Sequence, residues 1–356
     1  MIIVTGGAGF IGSNLVAALN ARGRRDIVIC DYLGVDDKWR NLAQRRIAEI
    51  LDPADLFSYM RSCADGAPYR HIEAVFHLGA NSSTTESDVD LILSQNFRFS
   101  LDLWHLCTEQ KVRFIYASSA ATYGHGEVGF VDGLDAEQLC RLKPLNPYGW
   151  SKHLFDQRVA DLAMDPGTRP PQYAGLKFFN VYGPNEHHKG LMKSVVAQKY
   201  SLAERGKPVT LFKSYRPAYD NGGQRRDFIY VRDCADVMLW LLDNPKVNGL
   251  FNLGTGKARS FADLAQALFA ALGTDPKIEY IDMPETIRGK YQYFTEADIS
   301  QLRSAGYTAP FTSLEAGIAD YVIIISLPAI LIFSPWIGIV RRNGLKFLMG
   351  RKVAPL

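Results

Sequence analysis

The chain has 356 residues, 47% of them hydrophobic and 22% charged, which fits one large α/β unit or two lobes with a sizeable core. Its formal charge of +3 is unevenly placed: residues 322–356 hold five cations (Arg341, Arg342, Lys346, Arg351 and Lys352) and no acid, leaving −2 on the remainder (3 minus 5). A mildly acidic body argues against nucleic acid as a partner, and five cysteines without metal-ligand spacing point to reduced thiols in a cytosol, with no metal site expected.

Residues 1–4 (Met-Ile-Ile-Val) are already strand-like, so no signal peptide is expected. Residues 2–5 read as a buried strand and 13–22 as a helix. Gly7, Gly9 and Gly12 form Gly-x-Gly-x-x-Gly between them. In that context the glycines allow a tight turn and close approach of a pyrophosphate, which meets the helix N-terminus. A second strand, 26–31, ends in Asp31, 19 residues after Gly12. An acid there bonds the adenosine ribose and favours NAD, whereas Lys38 or Arg40 just beyond can pair with a 2′-phosphate; these residues leave NAD and NADP open. Residues 41–61 look helical, broken at Asp52 and Pro53.

Residues 74–80 form the next buried strand, ending in the small, polar loop Gly79, Ala80, Asn81, Ser82 and Ser83. His77 reads as a packed strand residue. Residues 91–109 read as one long helix, from which Asn96 can reach that loop. Residues 114–119 read as the fourth strand, and Ser119 stands at its carboxyl end, where open parallel sheets gather ligands. About 30 residues on come Tyr148 and Lys152, four apart and so on one helix face. A neighbouring ammonium is expected to lower the phenol's pKa and make Tyr148 a proton shuttle.

The Gly-rich turn, Ser119 and the Tyr148/Lys152 pair resemble the extended short-chain dehydrogenases/reductases, the group of nucleotide-sugar epimerases and dehydratases. More narrowly, stretches 76–86 (Phe-His-Leu-Gly-Ala-Asn-Ser-Ser-Thr-Thr-Glu), 116–124 (Tyr-Ala-Ser-Ser-Ala-Ala-Thr-Tyr-Gly), 179–184 (Phe-Asn-Val-Tyr-Gly-Pro) and 188–190 (His-Lys-Gly) resemble the ADP-L-glycero-D-manno-heptose 6-epimerases, from residue 1 to about 321. The resemblance implies a Rossmann-like doubly wound parallel sheet with a smaller, interleaved substrate lobe: 1–172 for the dinucleotide, 173–321 for the sugar nucleotide. It implies catalysis by Tyr148, Lys189, Ser119 and Lys152, with NADP favoured over NAD. The dinucleotide contacts expected from motif and resemblance together are Gly6, Gly9, Phe10, Ile11, Gly12, Asp31, Tyr32, Lys38, Leu78, Gly79, Ala80, Asn81, Ser82, Asn96, Lys152, Val181 and Lys189. Substrate contacts are expected at Ser119, Asn180, Phe212, Lys213, Arg226 and Tyr291. The implied reaction is epimerisation at C6″ of an ADP-heptose through a transient ketone, supplying lipopolysaccharide heptose, in a cytoplasmic homo-oligomer, a pentamer in this family. Other readings are a nucleotide-sugar 4-epimerase or dehydratase, and a non-catalytic cofactor sensor of the same fold.

Further along, 173–179 reads as a strand closed by a proline turn at 180–184. Strands are expected at 208–212, 224–231, 250–254 and 278–281, and helices at 227–242, 260–272 and 297–306. Residues 322–340 carry no charge and precede Arg341 and Arg342. Three readings fit that tail: a membrane anchor, which would tether the protein to an inner membrane, a misread terminus, or a packed or oligomer-burying segment.

Overall fold

The structure is a computed structural model that describes residues 1–35, 37–64, 71–288 and 291–326. In chain order it runs β1 (Ile2–Thr5), α1 (Phe10–Ala21), β2 (Ile27–Cys30), β3 (Glu49–Leu51), α2 (Leu56–Ala64), β4 (Ala74–His77), α3 (Val89–Ile92), α4 (Phe99–Glu109), β5 (Arg113–Ser119), α5 (Ala136–Cys140), α6 (Pro147–Leu162) and β6 (Tyr173–Phe178). It continues through β7 (Asn180–Tyr182), α7 (Val195–Glu204), β8 (Val209–Phe212), β9 (Arg225–Tyr230), α8 (Val231–Asp243), β10 (Gly249–Leu253), β11 (Ala258–Ser260), α9 (Phe261–Leu272), β12 (Ile278–Ile281), α10 (Glu285–Arg288), α11 (Ser300–Ser304) and α12 (Leu314–Ser326).

Seven strands pair in parallel in the order β10-β6-β5-β4-β1-β2-β3. Apolar residues run continuously along the inner strands because helices cover both faces. Ile2, Val4, Phe76 and Ile115 pack on one side with residues of α1 and α8, while Ile3, Val75, Phe114 and Tyr116 pack on the other with residues of α2, α4 and α6. Burial of each such side chain contributes about 1.5–3 kcal/mol. The strand order reverses between β1 and β4, and a crevice opens there at the carboxyl ends. Two small sheets lie beyond: β11-β9-β7, in which β9 pairs antiparallel with β11 and parallel with β7, and the parallel pair β12-β8.

The expected doubly wound α/β sheet is what forms, with local corrections. Residues 41–61 are not one broken helix, because β3 lies inside them and pairs with β2 at the sheet edge. Its three residues are too few to display alternation, and β5 is therefore the fifth strand of the run. The expected turn at 180–184 begins as strand β7, which finds β9 across the chain before Pro184 ends it. β11 precedes α9 unannounced, edge-paired with β9. The helix expected at 297–306 shrinks to α11, because Ala297 N–H donates to Asp227 (3.0 Å) and Asp298 N–H to the Phe130 carbonyl (3.2 Å). Those backbone donors serve tertiary partners, leaving the helix to start later. The helix expected from 91 to 109 is interrupted by a π-helical stretch, Leu93–Arg98, between α3 and α4.

At the end, α12 takes in residues 322–326, the first five of the apolar run. Val322 is buried against the body. Among the described residues no helix is long and apolar enough to cross a membrane. The rest of the tail, on which the anchor reading chiefly rests, lies outside the described residues.

Candidate active site

The turn after β1 requires glycine for two reasons. Gly6 has φ +65°, and a Cβ there would come within 2.7 Å of the Gly79 backbone. A Cβ on Gly12 would lie 2.2 Å from the Gly6 carbonyl oxygen. The turn therefore presses against the loop after β4, across the strand-order reversal. α1 opens at Gly9 with no side-chain cap and no acid in its first turn. Its leading N–H groups have no intrahelical acceptor, and with the helix dipole they suit a diphosphate. This chain's residues thus fit a dinucleotide.

At the adenosine end, Asp31 accepts from the Ala8 N–H (2.9 Å) and from Lys38 Nζ (2.6 Å), and Lys38 also donates to the Tyr32 carbonyl (2.8 Å). The acid after β2 is thus paired with a cation. On the other flank, the π-helical stretch turns Asn96 inward, fully buried. Asn96 accepts from the Asn81 N–H (2.8 Å), donates to the Asn81 carbonyl (2.9 Å), and reaches Ser151 Oγ on α6 (3.1 Å). It braces the loop and the catalytic helix together, as π-bulges near functional sites often do. His77 is a strand residue, as expected: its ring lies 2.7 Å from Thr5 Oγ1 and 2.8 Å from Ser100 Oγ, and burial pushes its pKa down to about 3.

Ser119 ends β5. Its Oγ accepts from the Ala121 N–H (3.1 Å), a turn-capping role, and Ser119 also acts on the Tyr148 phenol, drawing its pKa down. Asn146 caps α6 through the Gly149 N–H (2.8 Å), and Pro147 occupies its first position. Tyr148 follows at once, at the end of the helix that faces the strand termini. Lys152, one turn on, is buried and donates to the Ala117 carbonyl (2.8 Å). Burial pushes its ammonium down to about 8, with Asp156 opposing. The expected lowering of Tyr148 by Lys152 does not hold. Burial raises the phenol, and only Ser119 works the other way. The physical reason is that the phenol is buried, so desolvation dominates, and the hydrogen bond of Lys152 goes to the Ala117 carbonyl.

Lys189 sits in the turn His187–Met192, made possible by Gly190 at φ +53°. Its Nζ lies 5.2 Å from the centre of the Phe10 ring, and burial lowers its pKa against the pull of Glu186. A single cavity of about 760 Å³ is lined by Gly6, Gly9, Phe10, Ile11, Gly12, Asp31, Lys38, Leu78, Gly79, Ala80, Asn81, Ser82, Ser119, Tyr148, Lys152, Asn180, Val181 and Lys189. Tyr32 lines an adjoining cavity of about 490 Å³ with Asp31, Lys38, Pro53 and Phe57.

Phe212, Lys213, Arg226 and Tyr291 are not among the residues lining the main cavity. They lie in the neighbouring small-sheet region. Arg226 stacks on Tyr291 (5.4 Å) and on Phe261 (5.6 Å), Phe212 meets Tyr291 edge-on (6.0 Å), and Lys213 pairs with Asp282 (3.3 Å). Phe261 touches both regions, since it also lines the main cavity. Sequence reasoning missed Phe179, His188, Met192, Lys193, Ser194 and Phe228, among others, as lining residues. Phe179 and His188 lay inside quoted motifs. The apolar members carry no signal separating a wall from a core.

A family model described as the NAD dependent epimerase/dehydratase family matches residues 2–254. The chain is 52% identical over 322 residues to an ADP-L-glycero-D-manno-heptose-6-epimerase of Nitratidesulfovibrio vulgaris, covering 90% of this chain and 97% of that one. Among solved structures, the Helicobacter pylori ADP-L-glycero-D-manno-heptose-6-epimerase superposes with a TM-score of 0.75 at 30% identity, over 92% of this chain and 96% of that one. The Thermus thermophilus UDP-glucose 4-epimerase in complex with NAD gives 0.69 at 25% identity, over 90% and 97%. A match through the whole dinucleotide-binding sheet, and a relative sharing half its residues along nearly all its length, place this chain in the NAD dependent epimerase/dehydratase family.

Proposed function

We propose that this chain epimerises ADP-D-glycero-β-D-manno-heptose at C6″ to the L-glycero sugar, with NADP as its resident cofactor. The observation that carries the reading is that Tyr148 and Lys189, from α6 and from the turn before α7, line one cavity beside the glycine turn. The identity to the heptose epimerase of Nitratidesulfovibrio vulgaris supports the choice of sugar.

The hydrogen at C6″ is not acidic, because no carbonyl adjoins it. When bound, a nicotinamide dinucleotide supplies the hydride acceptor and donor that inversion at such a carbon needs. This chain's residues handle the rest. Tyr148 and Lys189 each move the hydroxyl proton for one configuration, so the transient ketone can be reduced from either face. Burial keeps the Tyr148 phenol protonated at rest and lowers Lys189 toward the range in which it accepts a proton. Ser119 orients the reacting oxygen, and Lys152 holds the nicotinamide ribose. Asn180 faces the sugar, and the Arg226–Tyr291 cluster in the 173–321 lobe receives the nucleotide end.

NADP is favoured over NAD because Lys38 offsets the Asp31 charge that would repel a 2′-phosphate. The thiols Cys30, Cys63, Cys107, Cys140 and Cys234 are all free, which suits a cytoplasmic enzyme. The test is turnover of ADP-heptose set against UDP-galactose. Conversion of the heptose alone is expected; conversion of the galactose alone would move the reading to a 4-epimerase, and no turnover of either to a sensor.

A further inference from the structure

Glu186 is 1% exposed and lies three residues before Lys189. Its carboxylate collects donors from three parts of the chain. Oε1 accepts from Ser194 Oγ (2.6 Å), from Tyr321 Oη (3.0 Å) and, more loosely, from the Gly183 N–H (3.4 Å). Oε2 accepts from the Ser194 N–H. The Glu186 carbonyl also accepts the Lys189 N–H (3.1 Å).

The consequence is topological. Glu186 opens the turn that carries Lys189, and Ser194 closes it as the N-cap of α7, through the Ala197 N–H (3.3 Å). One carboxylate therefore staples both ends of the turn. Inside the staple, Gly190 sits at φ +53° with open space around it, and the turn is otherwise tied to the body by His187 at the Asp37 carbonyl (3.1 Å) and His188 at Asn41 (3.3 Å). The remaining donor comes from α12, at the far end of the sequence. Tyr321 is 3% exposed, and burial beside Glu186 holds its phenol well above the ordinary range, so it remains a donor.

We propose that Tyr321 is a positioning residue for Lys189, acting through Glu186 and Ser194. The proposal rests on the reading of Lys189 as an acid–base residue. α12 thus fixes where the second proton-transfer group stands, although it contributes no residue to the cavity lining. An unstapled turn leaves Lys189 present but misplaced, and misplacement by about 1 Å costs on the order of 10² in rate.

A merely structural role for Tyr321 would be to hold α12 on the body. Other contacts also do that: Arg259 pairs with Glu315 (2.7 Å) and Arg232 with Asp320 (2.8 Å). The experiment compares Tyr321→Phe with Glu315→Gln in the full chain, by steady-state kinetics and amide hydrogen exchange. In Tyr321→Phe, exchange in the peptide covering 187–194 is expected to rise about tenfold, since a hydrogen bond to a charged group is lost. The value of kcat is expected to fall about tenfold with KM within about twofold. Glu315→Gln loosens the same helix and is expected to match wild type in both. Unchanged exchange at 187–194 in Tyr321→Phe, or the same change in Glu315→Gln, overturns the proposal. If Tyr321→Phe does not fold, Ser194→Ala reads the staple from the other end, with the same local rise expected and wild-type exchange contradicting it. Full activity in Lys189→Met would remove the base assignment, whereas unchanged exchange in Tyr321→Phe would remove the staple alone, so the two failures are distinguishable.

Discussion

Lys177 Nζ lies 2.9 Å from Asp156 Oδ2, and both side chains are shut off from solvent, immediately behind the strand end and helix that carry Ser119 and Tyr148. Asp156 also accepts from Ser118 Oγ (2.6 Å) and Tyr116 Oη (3.3 Å), while Lys177 donates to Thr122 Oγ1 (2.6 Å) and lies over the Tyr123 ring (4.8 Å). Every strong polar group in the cluster thus has a partner. Asp156 is four residues after Lys152 on α6, on the same face, and its charge holds the Lys152 ammonium up against burial.

Removing one member of this pair strands the other. Lys177→Met leaves the Asp156 carboxylate buried without its cation, and a loss of about 3–5 kcal/mol is expected. The check is urea unfolding. The double replacement Lys177→Met with Asp156→Leu is expected to lose less than either single change, because desolvation of an isolated charge is then avoided. A double variant no better than the singles would show that packing, not charge, sets the cost.

Asp132 offers a pH signature. It is 2% exposed, and burial pushes its pKa up to about 6, although it accepts from the Asn252 N–H (2.5 Å). The folded state therefore holds this proton more tightly than the unfolded chain, whose carboxyl titrates near ~3.9. Its protonated form is favoured in the fold, so stability falls as pH rises from about 4 to about 6, by roughly 2–3 kcal/mol at most. Asp132→Asn is expected to flatten that slope in chemical denaturation at a series of pH values. An unchanged slope would assign the effect elsewhere.

Tyr148→Phe and Lys189→Met are each expected to cut turnover by about 10²–10⁴. The dinucleotide that copurifies is expected to remain, because both variants keep the glycines and the free α1 N-terminus that cradle the diphosphate. Mass spectrometry of the bound fraction separates loss of chemistry from loss of cofactor. Near-normal turnover in Lys189→Met contradicts a two-base scheme.

Lys38→Ala leaves Asp31 uncompensated beside the adenosine end. Loss of a charge-assisted contact of about 1.5–3 kcal/mol is expected to weaken NADP about 10–100-fold while affecting NAD much less. Equilibrium binding of both dinucleotides to the variant checks this. Equal weakening of both would mean that Lys38 does not meet a 2′-phosphate.

The main sheet and one wall of the site were legible because they obey local rules. A strand, a glycine turn and a helix between Ile2 and Ala21 specify the diphosphate cradle, and Tyr148 with Lys152 needs only the helical period. What escaped depends on distant partners. β3 and β7 are three residues each and exist because β2 and β9 pair with them. The resting protonation of Tyr148 escaped because spacing reports proximity, not the direction in which Lys152 donates. Glu186 escaped because its partners, Gly183, Ser194 and Tyr321, are spread over 139 positions, a separation that no local pattern encodes.

The central claim is that the hydrogen at C6″ leaves as hydride and returns to the same carbon without meeting solvent. Turnover of ADP-D-glycero-β-D-manno-heptose carrying deuterium at C6″, in ordinary water and read by mass spectrometry and NMR, tests it directly. The account predicts an L-glycero product that keeps its deuterium; a product with the label washed out into water would contradict it.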